Sequence, residues 1–383
     1  MNFLYDLTAC HPHKTAKFHG GGVYAKIVFD ELVKKGKQFS ALYDSMQYLD
    51  SDIFKVCNES GVELIDIHNT SLTEILTRHS VKCFYSAQPY NLGNIDFKDT
   101  ICIGTIHGLR PLEMLSDSTE PLYSHSLKSY CKSILKQYLF KGYLKRKYYM
   151  QFKELFQNRS FEYVAVSNHT KYSIMSFFPN ISNVNIRVLY SPNTIFDKER
   201  VLPPKNTAGK YYLLVSGDRW LKNDYRAIIA LDRLFTERTD IEGKVIVVGI
   251  TENVRYYRKI RNKDRFIFKG YVDYSTLLSL YADAYLFIYP TLNEGFGYPP
   301  LEAMSFGVPV ISSGLSSLSE VLDNSVVYFN PYSIGEIKNR ILMFEDNNIY
   351  DDYSRRALSR SQWIKKRQKE DLDSLVTYLS DFM

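Results

Sequence analysis

The sequence predicts an α/β protein built from two doubly wound parallel sheets. Thirteen short apolar segments rich in β-branched and aromatic residues recur along the chain, and segments with helical spacing lie between them. Continuous apolar strands of this kind are typical of parallel sheets whose two faces are covered by helices. The chain of 383 residues is also too long for one ordinary core and suits two domains.

The predicted strands form two groups on either side of residue 200. Residues 191–210 between the groups are rich in Pro, Asn and Thr and have little periodicity, so we predict a linker there. Domains are therefore predicted over residues 1–192 and 193–364. The predicted strands of the first group are 3–7, 41–44, 62–67, 82–87, 101–107, 163–167 and 186–191, and those of the second are 211–217, 244–249, 265–270, 285–290, 309–313 and 326–329.

Composition excludes several classes of protein. Apolar residues make up 45% of the chain and charged residues 23%, which is typical of a globular protein rather than a disordered one. No apolar run approaches the roughly 18–20 residues of a membrane span, and the first residues lack the pattern of a secretory signal. The five cysteines are scattered through the first 131 residues without zinc or redox spacing. We therefore expect reduced thiols and a cytoplasmic location.

The positive charge is concentrated in residues 124–159. This segment has nine Lys and Arg residues against one acid and carries a charge of +8, whereas the rest of the chain sums to −2. Such a distribution does not favour a nucleic-acid-binding surface. Lys128, Lys132 and Lys136 recur every four residues on one helical face, among many aromatic and aliphatic residues. Two interpretations remain open: a surface helix with solvated lysines, or a basic amphipathic surface that rests on anionic lipid.

The most informative motif is YPTLNEGFGYPPLEAMSFGVPVISS at residues 289–313. Glu294 lies in a loop after an apolar strand, and Gly295-Phe296-Gly297 allows a tight turn with exposed amides. Pro299 and Pro300 suit the start of a helix, so we predict Glu302 in its first turn. Two carboxylates with a glycine turn between them can face one pocket at a helix N-terminus, where amides and the helix dipole attract an anion. This combination indicates a site for a sugar nucleotide.

The motif resembles the E-x7-E signature of retaining glycosyltransferases of family 4, which have the GT-B fold of two Rossmann-like domains. The similarity continues in FKGYVDYSTLLSLYADAYLFIYP (268–290) and SSLSEVLDNSVVYFNP (316–331). More weakly, VSGDRWLKNDYRAIIAL (215–231), AVSNHTKYSI (165–174) and TIHGLRPLE (105–113) also resemble the family. The fold that the resemblance implies is GT-B, with the two domains facing a central cleft.

The resemblance implies roles for residues of the second half. Glu294 would bind hydroxyls of the donor sugar and Glu302 those of the ribose, while amides of Phe296 and Gly297 would lie against the sugar and phosphates. Lys222 matches the diphosphate-binding lysine, and Arg219 is the candidate for its partner arginine. Gly270 and Tyr271 belong to the segment whose backbone would contact the nucleotide base.

Two features of the first half fit the same resemblance. The run Gly20-Gly21-Gly22 precedes a helix-like segment, and we predict a loop there whose Gly21 and Gly22 backbone closes on the diphosphate. His107 follows an apolar strand and would lie beside the reacting carbon of the donor sugar. The helical pattern at residues 360–383 would return to the first domain, which residues 365–383 would complete.

No metal or other obligatory cofactor is expected. Cys10, His11, His13 and His19 lie within one loop beside flexible glycines, and they lack the pattern of a regular metal site. By resemblance, Lys and Arg do the work that magnesium does in other transferases.

The function implied is transfer of a hexose-type sugar, with retention of configuration, from a UDP-, GDP- or dTDP-sugar to a hydroxyl acceptor. The basic segment suggests a lipid-linked or polysaccharide acceptor, as in capsule or O-antigen assembly, and a peripheral position at the inner face of the cell membrane. Alternatives are a non-enzymatic module that binds nucleotide sugars in an assembly complex, or another enzyme of the same fold, such as a sugar-nucleotide epimerase or a phosphorylase. A nicotinamide dehydrogenase is disfavoured because no G-x-G-x-x-G follows the first strand.

Overall fold

The computed structural model describes residues 2–12, 20–181, 186–192 and 209–383. All thirteen predicted strands are present among them. Their apolar sequences are continuous because most of their residues are buried on both faces of a sheet, as in Tyr211–Val215. The strands are β1 (Phe3–Asp6), β2 (Ser40–Tyr43), β3 (Glu63–Asp66), β4 (Cys83–Ser86), β5 (Ile101–Ile106), β6 (Phe161–Ala165), β7 (Ile186–Val188), β8 (Tyr211–Val215), β9 (Lys244–Val248), β10 (Phe266–Lys269), β11 (Leu286–Tyr289), β12 (Val310–Ser313) and β13 (Val327–Phe329).

The strands form two parallel sheets. The first has seven strands in the order β3-β2-β1-β4-β5-β6-β7, and the second has six in the order β10-β9-β8-β11-β12-β13. In each sheet the order reverses once, between β1 and β4 in the first and between β8 and β11 in the second. Ligands of doubly wound sheets bind beyond the carboxyl ends of the strands at such a reversal. The predicted α/β class is confirmed, and each sheet has one such reversal.

Helices connect the strands. Several begin where a side chain caps the first turn, as at Ser167, whose Oγ accepts the backbone N–H of Thr170 at 3.1 Å. The helices are α1 (Gly20–Lys34), α2 (Ser51–Ser60), α3 (Leu72–Arg78), α4 (Arg110–Glu113), α5 (Leu127–Tyr138), α6 (Lys141–Gln157), α7 (Asn168–Phe177), α8 (Asp224–Glu237), α9 (Tyr274–Asp283), α10 (Tyr298–Met304), α11 (Leu318–Leu322), α12 (Ile334–Met343) and α13 (Asn347–Ser380).

The chain divides into two compact units, each with one of the sheets. The first unit comprises residues 1–109, 146–196 and 366–383, and the second comprises 110–145 and 197–365. The predicted domains, 1–192 with 365–383 and 193–364, remain a prediction. The units differ from them mainly in residues 110–145, which pack with the second unit.

The core of the first unit includes residues from the far end of the sequence. Leu375, Val376 and Leu379 of α13 are buried in one cluster with Phe3 and Tyr5 of β1. The C-terminal segment thus supplies apolar side chains to the first sheet.

Residues 110–145 are joined to the second unit by buried contacts. Tyr123 lies in the core of that unit, its ring centroid 5.2 Å from that of Tyr256, and its hydroxyl accepts the backbone N–H of Tyr225 at 2.9 Å. Asp117 and Arg226 form a buried bidentate pair with distances of 3.1 and 3.2 Å. The segment from Arg110 to Lys145, which includes the start of α6, is therefore an integral part of the second unit.

Other predictions fall partly outside the described residues. Most of the predicted linker, residues 193–208, lies there, so the linker stays a prediction. Among the described residues no helix is long and apolar enough to span a membrane. The five cysteines are free thiols, four of them buried.

Candidate active site

The candidate site of the second unit lies where the strand order of its sheet reverses. Residues Trp220–Lys222 form a short 3-10 turn after β8, and Glu294 lies in the loop after the neighbouring strand β11. The two loops meet because β8 and β11 are adjacent and parallel. The fold therefore brings together Lys222 and Glu294, which are 72 positions apart in the sequence.

Lys222 and Glu294 form a buried ion pair. Their exposed fractions are 4% and 9%, and the lysine Nζ lies 2.7 Å from Oε1 of the glutamate. Lys222 also donates to the hydroxyl of Tyr289 at 2.7 Å, and Thr291 Oγ1 donates to the same Oε1 at 2.8 Å. Both charges are thus held in fixed positions by neutral hydrogen-bonding groups.

The electrostatics of this pair favour an ionised carboxylate. Burial acts to raise the pKa of Glu294, but the positive charges of Lys222, Arg110 and Arg219 outweigh it and lower the pKa to about 2. Burial lowers the pKa of the Lys222 ammonium, and the charge of Glu294 opposes this. Glu294 is therefore an anion across the physiological pH range, with three cations around it.

Two serines fix the glycine turn that follows Glu294. Ser316 Oγ accepts the backbone N–H of Glu294 at 2.8 Å, and Ser317 Oγ donates to the carbonyls of Glu294 and Phe296 at 3.0 and 3.1 Å. Gly297 has φ of 102°, and a Cβ atom there would lie 2.6 Å from Leu318 Cδ2. Only glycine fits this position without strain.

The prediction that Glu302 lies in the first turn of its helix is wrong. Because Gly297 completes the turn, α10 begins at Tyr298, which makes Glu302 its fifth residue. Pro299 does lie at the start of the helix, as predicted. Glu302 is 9% exposed, and it acts with burial to raise the pKa of Tyr281.

The two carboxylates of the E-x7-E motif nevertheless lie near one side chain. Burial and the charges of Glu294 and Glu302 raise the pKa of Tyr289, the tyrosine that accepts a hydrogen bond from Lys222. Tyr289 is the last residue of β11. The charges of both glutamates therefore act on the residue at the carboxyl end of this strand.

The other predicted residues of the second unit occupy loops at the same end of the sheet. Arg219 precedes the 3-10 turn that ends at Lys222, and its charge acts on both Glu294 and Lys222. Gly270 follows β10, and its carbonyl accepts the N–H of Gly249 at 3.2 Å. Tyr271 is 94% exposed. The roles of these residues remain predictions.

His107 occupies the predicted place at the carboxyl end of β5 in the first unit. Its Nε2 donates to the carbonyl of Ala87 at 3.0 Å, its backbone N–H donates to the hydroxyl of Tyr90 at 2.7 Å, and its ring packs edge-on against Tyr24 at 4.8 Å. These contacts set the tautomer and orientation of the imidazole.

The predicted glycine loop differs from the structure. Gly20, Gly21 and Gly22 form the first turn of α1 rather than a loop before it. A Cβ atom on Gly21 would lie 1.5 Å from Nε2 of Gln88, so a larger residue there requires Gln88 to move. Gly21 thus allows close approach of α1 to Gln88, in the segment that follows β4.

The weak metal motif does not become a site among the described residues. His11 has both ring nitrogens engaged, with Tyr48 O at 2.9 Å and the N–H of Asp44 at 3.1 Å, and the Cys10 thiol donates to the Gly22 carbonyl at 3.8 Å. His13 and His19 lie outside the described residues. Within the described ranges no group of three or more His, Cys, Asp or Glu side chains could hold a metal ion.

Sequence reasoning missed a second loop at the E-x7-E motif. Asn293 Nδ2 donates to Glu113 Oε2 at 2.5 Å, and Arg110 of the same helix α4 acts electrostatically on Glu294. The segment TIHGLRPLE contains both residues, but its interpretation rested on the histidine. The signal that could have found this loop is the spacing of Arg110 and Glu113, two opposite charges three positions apart, shortly after the candidate catalytic His107.

The architecture identifies the fold. Two parallel doubly wound sheets, one in each unit, are the arrangement of the GT-B fold. Sucrose-phosphate synthase from Thermosynechococcus elongatus superposes with a TM-score of 0.70 at 12% identity, covering 100% of this chain and 99% of that one. Anabaena Alr3699/HepE, solved with UDP and glucose, superposes with a TM-score of 0.64 at 12% identity over 98% and 99% of the chains. The predicted GT-B fold is confirmed.

The second half of the chain is similar in sequence to a known family. Residues 196–369 match the family model described as glycosyl transferases group 1. Over 172 residues the chain is 30% identical to the O-antigen chain mannosyltransferase RfbU of Salmonella typhimurium. The aligned residues cover 44% of this chain and 46% of the relative. The chain therefore spans about half the length of this curated relative.

Proposed function

We propose that this protein transfers a sugar from a nucleoside-diphosphate-sugar donor to a hydroxyl group of a lipid-linked or polysaccharide intermediate in cell-surface glycan synthesis. The observation that carries the proposal is the buried Lys222–Glu294 pair at the reversal of the second sheet, with Glu302 near the same strand end. A fixed cation there suits a leaving diphosphate, and fixed carboxylates suit sugar hydroxyls. The match of residues 196–369 to the family model of glycosyl transferases group 1 supports this assignment.

The proposed reaction retains the anomeric configuration and belongs to family 4. The bond between the anomeric carbon and the donor phosphate oxygen breaks, and a bond to the acceptor oxygen forms on the same face. The acceptor proton passes to an oxygen of the departing diphosphate. Lys222 and Arg219 stabilise the negative charge that develops on the diphosphate, and the amides of Phe296 and Gly297 bind it. The roles of Gly21, Gly22 and His107 in binding a nucleotide-sugar donor are part of the same proposal.

The name of the Salmonella relative suggests mannose as the first sugar to test. We therefore give GDP-mannose the first place in a donor panel that also contains UDP-, dTDP- and other GDP-sugars. The backbone at Gly270 and Tyr271 is the proposed contact of the base. No metal or other cofactor is assigned to the reaction.

The first test is thermal stabilisation of the full chain by UDP, GDP, dTDP and their sugars. A ligand at a hundredfold excess over its Kd stabilises the folded state by about 2.7 kcal/mol, which raises the melting temperature measurably. We expect one nucleotide family to do this for the wild type and to lose the effect in Glu302→Ala, because the ribose hydroxyls lose their acceptor. Glu242→Ala removes an exposed acid of the same unit and is the matched control. Unchanged nucleotide affinity in Glu302→Ala would exclude the ribose role of Glu302.

A membrane surface is proposed as a further partner, through α5 and the start of α6. Lys128 and Lys132 line a groove of about 590 Å³. Around it Tyr138 and Tyr143 are 72% and 67% exposed. Large apolar side chains beside lysines suit the interface of an anionic bilayer. The groove is lined by Lys128, Cys131, Lys132, Leu135, Lys136, Phe140, Tyr143 and Leu144.

The three lysines that share the predicted helical face differ in the structure. Lys136 Nζ lies 2.8 Å from Glu120 Oε1 and 5.4 Å from the centre of the Trp220 ring. This lysine therefore serves the packing of the second unit, and Lys128 and Lys132 are the better candidates for lipid contact.

Co-sedimentation with vesicles tests the membrane proposal. We expect binding to rise with the fraction of anionic lipid and to fall with salt. The double variant Lys128→Glu/Lys132→Glu should lose most of it, since each basic residue near an anionic surface contributes about 1 kcal/mol. The control Lys55→Glu/Lys366→Glu makes the same charge change at exposed lysines outside the segment. If both double variants lose the same share of vesicle binding, or if binding does not depend on lipid charge, then α5 is an ordinary surface helix.

A further inference from the structure

The segment that follows His107 is hydrogen-bonded to the loop that carries Glu294 and, through Arg226, to the residue after Lys222. At one end, Glu113 Oε2 accepts from Nδ2 of Asn293, the residue before Glu294, at 2.5 Å. Further along, Asp117 forms its bidentate pair with Arg226, whose Nη1 also donates to Asn223 Oδ1 at 2.6 Å. Asn223 directly follows Lys222. Helix α4 is thereby fixed beside both members of the Lys222–Glu294 pair.

Arg110 is the first residue of α4. Its Nε is buried and has no hydrogen-bond partner in the part of the chain that the structure describes. Its charge acts on Glu294 and Lys222 together. A buried guanidinium N–H without a partner is costly, because the group has lost its hydration without a replacement. Such a group suits an anionic ligand that supplies the missing acceptor.

The local charge balance leads to the same ligand. The charge of Lys222 is opposed at 2.7 Å by that of Glu294. Arg110 and Arg219 are two further cations whose charges act on this pair. Both are therefore candidates to meet the charge of an incoming anion.

We infer that Arg110 is a third cation of the donor site that binds the terminal phosphate of the nucleoside diphosphate, and that Glu113 positions it through Asn293. The inference rests on the proposed function, since it assigns a further contact to the same leaving group. Arg110 stabilises the diphosphate as its bond to the sugar breaks. Glu113 acts only by holding α4 against the loop that carries Glu294.

Calorimetric binding to the full chain tests Arg110. The probes are GDP, UDP and dTDP, each compared with its monophosphate, which lacks the terminal phosphate. For the diphosphate that binds the wild type, Arg110→Gln should weaken affinity about 10- to 100-fold, as expected for one charge-assisted contact, and should change monophosphate affinity little. Arg110→Lys keeps the charge and should restore part of the loss. Arg238→Gln, at an exposed arginine of the same unit, should behave like the wild type.

A pair of variants tests the hydrogen bond between Asn293 and Glu113. Glu113→Gln retains a carbonyl oxygen that can accept from Asn293, whereas Glu113→Ala does not. The ratio of diphosphate to monophosphate affinity should therefore fall in Glu113→Ala and persist in Glu113→Gln, with similar melting temperatures. Wild-type selectivity for the diphosphate in Arg110→Gln, or equal loss of both ligands, would overturn the inference while the proposed function stands. A wild type that binds none of the nucleotides would overturn both.

Discussion

Replacement of Lys222 by alanine is expected to lower kcat about 100- to 1000-fold, the range found when one fixed donor to a developing anion is removed. Lys222 is buried and held by Tyr289 and Glu294, so water cannot readily replace its charge. The negative charge of the diphosphate grows as its bond to the sugar breaks. The affinity for the free donor should therefore fall much less than kcat.

Steady-state kinetics and donor titration of the same variant separate these effects. Lys222→Arg keeps a cation at the position and should retain more activity than Lys222→Ala. Lys244→Ala removes an exposed lysine of the same unit and should change neither quantity. Equal losses in kcat and donor affinity would contradict stabilisation of the transition state by Lys222.

Removal of either partner of the buried ion pair should destabilise the fold by about 3–5 kcal/mol, because a buried charge is left without compensation. The loss should be larger for Glu294→Gln than for Lys222→Met. Without Glu294, the charges of Lys222, Arg110 and Arg219 repel one another, whereas without Lys222 the carboxylate still has two arginines. The double variant should be more stable than the sum of the two losses implies.

Urea unfolding of the four proteins at pH 7 measures this coupling, and its pH dependence gives a second check. The pKa of Glu294 is lower in the folded protein, about 2, than its ordinary 4.5. Its contribution to stability is therefore fully present above pH 4.5 and decreases as the pH falls towards 2. The gap in the free energy of unfolding between the wild type and Glu294→Gln should narrow below pH 4.5. If the two single losses in the free energy of unfolding add up in the double variant, and if the gap between the wild type and Glu294→Gln does not change with pH, then Lys222 and Glu294 are not coupled.

The strands and the motif site were predictable because their signals are local. Buried parallel strands such as β8 and β9 are continuous apolar runs, and the turn at Gly297 requires a residue that accepts positive φ. The position of Glu302 was misjudged because the prolines suggested a later helix start, whereas the glycine turn places Tyr298 first.

Two features depend on contacts between distant parts of the sequence. One is the hydrogen bond between Glu113 and Asn293, and the other is the packing of residues 110–145 with the rest of the second unit. The spacing of apolar residues in α5 predicts that one face of this helix is apolar. It does not predict that the neighbouring Tyr123 lies in the core of the second unit. Similarly, nothing near Asp117 indicates that Arg226 is its partner, and nothing near Lys136 indicates Glu120 or Trp220. Such pairings depend on how the segments of the second unit pack together, which local sequence does not specify.

The return of α13 to the first sheet has a consequence for biosynthesis. A ribosome releases the N-terminal strands long before Leu375, Val376 and Leu379, yet these side chains belong to the same buried cluster as Phe3. Domains made first usually fold first during translation. Here the nascent first sheet must wait, with part of its apolar surface uncovered, until residues 366–383 have emerged. The unit that is synthesised first is therefore the one that is completed last.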